Sequence, residues 1–248
     1  MYSCDKLISV ELSNIVTSID KEAFYNCKSL EKIVIPDSVK SIGNSAFKGC
    51  SKLKSITIGQ GVTSIGKSAF GWCQLVDELN FNATECEDVV DSNYYFDSLL
   101  GNDGMGITLT IGANVKKLPA RMFYSTASDG RANINSVIFE DGSVCESIGD
   151  YAFYSITTLR KITLPASVTA IGEKAFYGCT KLSMIYYGAA LDNWNLIEID
   201  SSNEILTNAE IYCYSELEPA LNSGGTAYDG NYWHYVDGIP TKWVLGEQ

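Results

Sequence analysis

Phe24, Phe47 and Phe70 recur at one constant step, which Phe153 and Phe176 repeat, each inside nearly the same phrase: VTSIDKEAFYNC, VKSIGNSAFKGC, VTSIGKSAFGWC, ESIGDYAFYSI and VTAIGEKAFYGC. A unit of about 23 residues has too little surface to bury its own apolar side chains, so it must stack on its neighbours. That leaves a solenoid of short coils as the architecture.

One coil, Leu53 to Phe70, reads LKSITIGQGVTSIGKSAF. Ile56 and Ile58 alternate with Thr57, the pattern of a short strand that buries two side chains and presents the third. Leu53, Val62, Ile65 and Phe70 complete an apolar ring at the corners of the coil. The buried strand pair can be followed along the chain as Val10/Leu12, Ile33/Ile35, Ile56/Ile58, Leu79/Phe81, Leu109/Ile111, Val137/Phe139, Ile162/Leu164, Ile185/Tyr187 and Ile211/Cys213. These pairs predict an α/β repeat fold: a right-handed leucine-rich-repeat solenoid with a parallel sheet of about nine short strands, roughly 40 Å long at normal strand spacing. Short helical turns or irregular segments are expected opposite the sheet, after each Ala-Phe pair. Near the end, Asp237-Gly238 between two alternating runs predicts a hairpin. The solenoid is expected over 1–227, with 228–248 as a capping segment of the same domain. Cys4 precedes Cys27 by one full repeat, which puts Met1 at the repeat phenylalanine position. The expectation is a chain that starts inside a coil, with a signal peptide and further residues once preceding it.

The net charge of −12 is unevenly spread. Residues 1–67 are net positive by three, whereas 68–115 hold eight acidic residues and 182–241 hold nine, both without a lysine or arginine. This balance argues against nucleic acid and anionic membrane as partners and favours basic ones. No stretch of about 18 apolar residues is present, so no membrane insertion is expected.

Cys27, Cys50, Cys73 and Cys179 each follow a repeat phenylalanine by three residues, and Ile156 takes the same place after Phe153. A slot that accepts isoleucine is a small apolar one, so the cysteines are expected to be reduced and structural, with a disulfide between neighbouring coils as the alternative. A zinc site needs two close pairs such as CxxC, and no two cysteines here are closer in sequence than Cys73 and Cys86. The acidic loop 82–105 could offer oxygen ligands to calcium but lacks a DxDxDG spacing, so a solvated loop is expected. No cofactor is implied.

The phrase IPxSVTSIGxxAFxGC resembles the leucine-rich repeats of BspA-like bacterial surface proteins. The ending AEIYCYSELEPAL followed by GNYWHYVDGIPTKW looks like that of many such proteins from gut-dwelling bacteria. The resemblance implies a secreted or surface-anchored protein whose repeats adhere to or bind host proteins, with no catalytic residues.

The residues add two binding surfaces to that expectation. The outward positions of the sheet are Glu11, Val34, Thr57, Asn80, Thr110, Ile138, Thr163, Tyr186 and Tyr212. Val34, Thr57, Asn80, Thr110, Ile138, Thr163, Tyr186 and Tyr212 are the candidate ligand-binding residues. Exposed apolar and aromatic side chains there would suit a protein partner, such as a host or microbial surface protein. Strand propensity alone gives the plainer account of the same residues. On the first account Tyr186 and Tyr212 are exposed anchors whose removal leaves the fold intact. The aromatic C-terminal stretch, with Trp233, Tyr235 and Trp243, either seals the last coil or stacks on a glycan. A structural spacer presenting another domain is the remaining non-enzymatic reading. The single histidine, His234, has no nucleophile fixed beside it in the sequence, so an enzyme is not expected.

Overall fold

A computed structural model describes residues 3–89, 96, 99, 106–124 and 132–246. Its main element is a ten-stranded sheet running in sequence order: Lys32–Ile35, Ser55–Ile58, Glu78–Phe81, Ile107–Ile111, Ile134–Phe139, Lys161–Leu164, Met184–Tyr187, Glu210–Tyr214, Tyr232–Val236 and Ile239–Lys242. All neighbours pair in parallel except the last two. The alternating pairs Ile33/Ile35 through Ile185/Tyr187 point inward and are buried, as the period-two pattern requires.

The first expected strand does not form. Val10 and Leu12 stay half-buried, and their segment meets the sheet through a single bridge from Ser9 to Lys32. At the other end the sheet gains two strands. Tyr232–Val236 joins in parallel, turns at Asp237 (φ 51°) and Gly238 (φ 76°), and pairs antiparallel with Ile239–Lys242. Two consecutive positive φ values are what a two-residue hairpin turn needs to match strand twist.

Opposite the long sheet the chain is more regular than expected. Two-residue parallel strands recur at Ser18–Ile19, Ser41–Ile42 and Ser64–Ile65, and again at Lys117–Leu118, Ser147–Ile148, Ala170–Ile171 and Glu198–Ile199. The segments after them are turns carrying a ladder of their own. The amides of Glu22, Phe24 and Asn26 donate to the carbonyls of Asn44, Ala46 and Lys48 in the next coil. Glu22 and Asn26 have positive φ, and Ser45, Ser68, Trp72, Tyr151, Ser155 and Lys174 repeat the feature. Each such residue costs about 1–3 kcal/mol, and the ladder offsets it by satisfying amides that would otherwise be buried without partners. Among the described residues, the four-residue helices Leu191–Trp194 and Ile205–Asn208 lie near the C-terminal end of the stack and no others occur.

The repeat phenylalanines form a continuous stack. Phe24, Phe47, Phe70, Phe96, Phe123, Phe153 and Phe176 follow one another at 5.0, 5.2, 5.5, 5.2, 5.6 and 5.3 Å between ring centroids. Phe96 lies inside the stretch where the sequence repeat loosens, and its ring still takes a place in the column. None of the eight cysteines, all among the described residues, is in a disulfide. The thiols of Cys50, Cys73 and Cys179 each donate to the carbonyl of the preceding coil's phenylalanine, at 3.2, 3.4 and 3.2 Å. The slot is therefore apolar in its walls and polar at one point. Burial pushes the Cys50 and Cys179 thiols up to about 12. Met1 and most of the loop proposed for calcium lie outside the described residues; among the described residues no group of three His, Cys, Asp or Glu converges as a metal site.

The phenylalanine ladder ends on a side chain. Phe153 donates its amide to the Ala175 carbonyl, but Phe176 donates to Oδ1 of buried Asn203 at 2.9 Å. Asn203 Nδ2 in turn donates to the carbonyls of Gly172 and Asp200, both at 2.9 Å. One amide side chain thus stands in for the next coil.

Candidate binding surface

The outward positions of the sheet divide into an open part and a covered part. Val34 is 46% exposed, and Thr57, Asn80, Thr110 and Ile138 are half-buried. The Asn80 side-chain amide donates to Thr57 Oγ1 at 3.4 Å, a weak contact that leaves both reachable. Near the first strand the face dips into a depression of about 570 Å³ lined by Val10, Leu12, Lys32, Val34 and Thr57. It exists because the first coil leaves the edge of the sheet after Ser9.

At Thr163 and Tyr186 the outward position is buried, against the expectation of exposure. Thr163 is buried, and its Oγ1 accepts the Phe139 amide at 2.7 Å, because pairing between the strands Ile134–Phe139 and Lys161–Leu164 stops after Val137 and Ile162. Tyr186 is only 5% exposed, with Trp233 from the hairpin edge-on to its ring at 5.6 Å and Tyr212 at the same distance. Tyr212 is half-buried and tied down: its hydroxyl donates to Glu210 Oε2 and accepts from Lys242 Nζ, both at 2.7 Å, and the Lys242 ammonium lies 4.1 Å from the ring centroid. Tyr186 is therefore a buried cap residue and not an exposed anchor. Strand periodicity shows which face a residue is on; it says nothing of what lies over that face.

The covering side chain is Trp233. It is 2% exposed, donates Nε1 to the Tyr187 carbonyl at 2.9 Å, and meets Tyr214 and Tyr235 edge-on at 5.1 and 5.0 Å. Beside this cluster lies a cleft of about 350 Å³. Its far walls are the loops at Glu140–Ser143 and Pro165–Ser167. The next buried corner follows the inward strand end after a step of four positions in Ile58/Val62 and Leu164/Val168, but six from Phe139 to buried Cys145. The two extra residues hold Glu140 and Asp141 out at the cleft mouth, and this local insertion is a sequence signal that the repeat alignment could have revealed. Glu140 Oε2 accepts the Ala113 amide at 3.0 Å, and Asp141 Oδ1 accepts the Gly142 amide at 2.9 Å. Burial first, and then the charge of Asp141, push the Tyr235 phenol up to about 12, so it remains a hydrogen-bond donor at any physiological pH.

A second aromatic row lies on the side away from the sheet. Tyr124, Tyr154 and Tyr177, each directly after a repeat phenylalanine, stack at 4.8 and 5.3 Å. Tyr151 sits between the cations of Arg121 and Lys174, at 5.1 and 5.4 Å. His234 stacks on Trp243 at 3.9 Å, within the hairpin segment.

The repeat region matches the family described as BspA type leucine rich repeat region, in six copies, over residues 1–128 and 108–203. The chain belongs to the BspA-type leucine-rich-repeat family. Among solved structures, a T. pallidum leucine rich repeat protein shares 22% identity over 81% of this chain and 82% of its own, with a TM-score of 0.42. A leucine rich cell surface protein from Faecalibacterium prausnitzii shares 20% identity over 81% and 78%, with a TM-score of 0.34. A leucine-rich repeat protein from Bacteroides ovatus shares 22% over 85% and 64%, with a TM-score of 0.31. At these scores the likenesses carry no weight of their own, and membership rests on the family match. No curated protein matches the sequence. BspA-type repeats belong to bacterial cell-surface proteins and point to a binding or adhesion role, on a kind of scaffold that is typically non-enzymatic. Among the described residues no helix is long and apolar enough to cross a membrane.

Proposed function

We propose that this BspA-type chain is a non-enzymatic adhesion module of a secreted or cell-surface bacterial protein, recognising a host or microbial surface protein through the open part of its sheet face. The observation that carries this is the exposure of Val34 above the depression at the first strands, on a face that continues through Thr57, Asn80, Thr110 and Ile138. An extended, mildly apolar sheet face is the surface that solenoids use to hold proteins. The first coil and the neighbouring strands bring Lys32 and Glu11 to the same depression, so a polar rim surrounds the apolar floor.

The test is solid-phase binding of the purified chain to extracellular-matrix proteins and mucins, with Val34→Glu and Ile138→Glu run beside it. Val34 is exposed, so Val34→Glu should melt as the parent does, and binding by both variants is compared at a temperature where each remains folded. Saturable binding that drops at least tenfold in both variants is expected. Binding unaffected by either change would remove the sheet face, and silence across the panel from a cooperatively melting chain would make the module a spacer.

A further inference from the structure

The cleft at the C-terminal end has a composition that selects its occupant. Its aromatic wall is Tyr214, Trp233 and Tyr235, and its mouth carries the carboxylates of Glu140 and Asp141. None of its described lining residues is lysine, arginine or histidine. The surrounding sequence 182–241 adds nine acidic residues and no lysine or arginine. An anionic ligand would meet uncompensated like charge there. A neutral sugar could stack on Tyr214, which is 37% exposed, and donate its hydroxyls to the carboxylates, but it would leave their charge uncompensated. A guanidinium group has only donors, a flat face that stacks on aromatic rings, and a carbon stem that suits an apolar wall.

We propose that this cleft binds an arginine side chain of the protein partner, with the stem along Tyr214 and Tyr235 and the guanidinium on Asp141. The inference rests on the protein-binding reading above and adds a second, charged contact at the opposite end of the same sheet. Asp141 is suited to the part. It is exposed, its Oδ1 is held by the Gly142 amide, and no cation of the described residues pairs with it. The strand Glu210–Tyr214 and the hairpin present no positive charge to the cleft, since Lys242 is engaged with Tyr212.

The Trp233 indole N–H, bonded to the Tyr187 carbonyl, gives a resolved NMR reporter on the cleft wall, and Trp72 gives a distant control. The full chain would be titrated with N-acetyl-arginine amide, its neutral counterpart N-acetyl-citrulline amide, and methyl glycosides of common hexoses. A saturable shift of the Trp233 signal with the arginine probe alone is expected, Trp72 staying still. Asp141→Asn should weaken it about tenfold, the size of one charge-assisted hydrogen bond. Glu204→Gln, an acidic change outside the cleft, should leave it unchanged. Equal shifts at Trp72, equal binding by Asp141→Asn, or no shift with the arginine probe would overturn the proposal, and saturation by a glycoside in place of arginine would make the cleft a sugar site. Binding of the small probe does not depend on the surface-protein screen, so a positive cleft with a silent screen would separate the two ideas.

Discussion

At its first strand the long sheet offers an edge that the preceding coil touches by one bridge, with Ile15 86% exposed and Val34 uncovered nearby. At its last strand the same sheet is closed twice, because Trp233 lies over Tyr186 and Pro240 sits in the outermost strand, where a missing amide discourages further pairing, while the turn ladder opposite ends on Asn203. The repeat is the same at both ends. What differs is whether side chains outside the repeat cover the stack, and this decides where a partner can reach the sheet.

The largest expected contrast is between Trp233→Ala and Ile15→Ser. The first removes a buried indole and orphans the Tyr187 carbonyl, and should lower stability by about 3–5 kcal/mol in urea denaturation. The second should change it by under about 0.5 kcal/mol. Similar losses at the two sites would mean that the ends are equally sealed. Asn203→Ala comes next, at about 1–3 kcal/mol, because it leaves the buried Phe176 amide without its acceptor and removes one of the two donors to the Gly172 carbonyl.

Thiol labelling sharpens the comparison further. With pKa values near 12, Cys50 and Cys179 hold about one thiolate in ten thousand at pH 8. They should resist iodoacetamide until the chain unfolds. Half-buried Cys4, in the weakly attached coil, should label first, and mass spectrometry of timed samples would read the order.

The smallest effect belongs to the middle of the molecule. Burial alone would raise the Asp88 pKa, but the Lys117 ammonium and the Ala120 amide, at 2.9 and 2.7 Å, outweigh it and leave it below the ordinary value. A depressed carboxylate stabilises the fold above its unfolded-state pKa, and the contribution is lost as pH falls through the folded-state one. Asp88→Asn should therefore cost a few tenths of a kcal/mol at pH 7, since the pair is largely exposed, and nothing in strong acid. A penalty that persisted at low pH would point to packing instead of charge.

Much of this could be read from the chain. Inward pairs such as Ile56/Ile58, the phenylalanine column and the Asp237-Gly238 turn follow from local chemistry that repeats or that allows one geometry. Phe96 was hidden because insertions on either side of it break the period, although the column of rings continues through it. Thr163 and Tyr186 were misplaced because their cover comes from residues far along the chain, Phe139 and Trp233, a relation no local pattern encodes. The two-residue strands are too short to carry a periodic signal, and the positive φ values at Glu22 and Ser45 run against side-chain preference, so only the stack explains them.

Because each coil leans mainly on its two neighbours, loss of order should travel along the molecule as a front. The segment around Ser9 meets the long sheet by a single bridge, while Ser18–Ile19 further along the same coil pairs with the next one, so the amides near Ser9 should exchange with solvent early and proteases should cut there early. The Phe153 and Phe176 amides, behind the Asn203 stop, should exchange last. A protein seated in the depression beside Val34 would hold the segment around Ser9 against the sheet, so binding there should slow exchange along the neighbouring coils as well as at the contact.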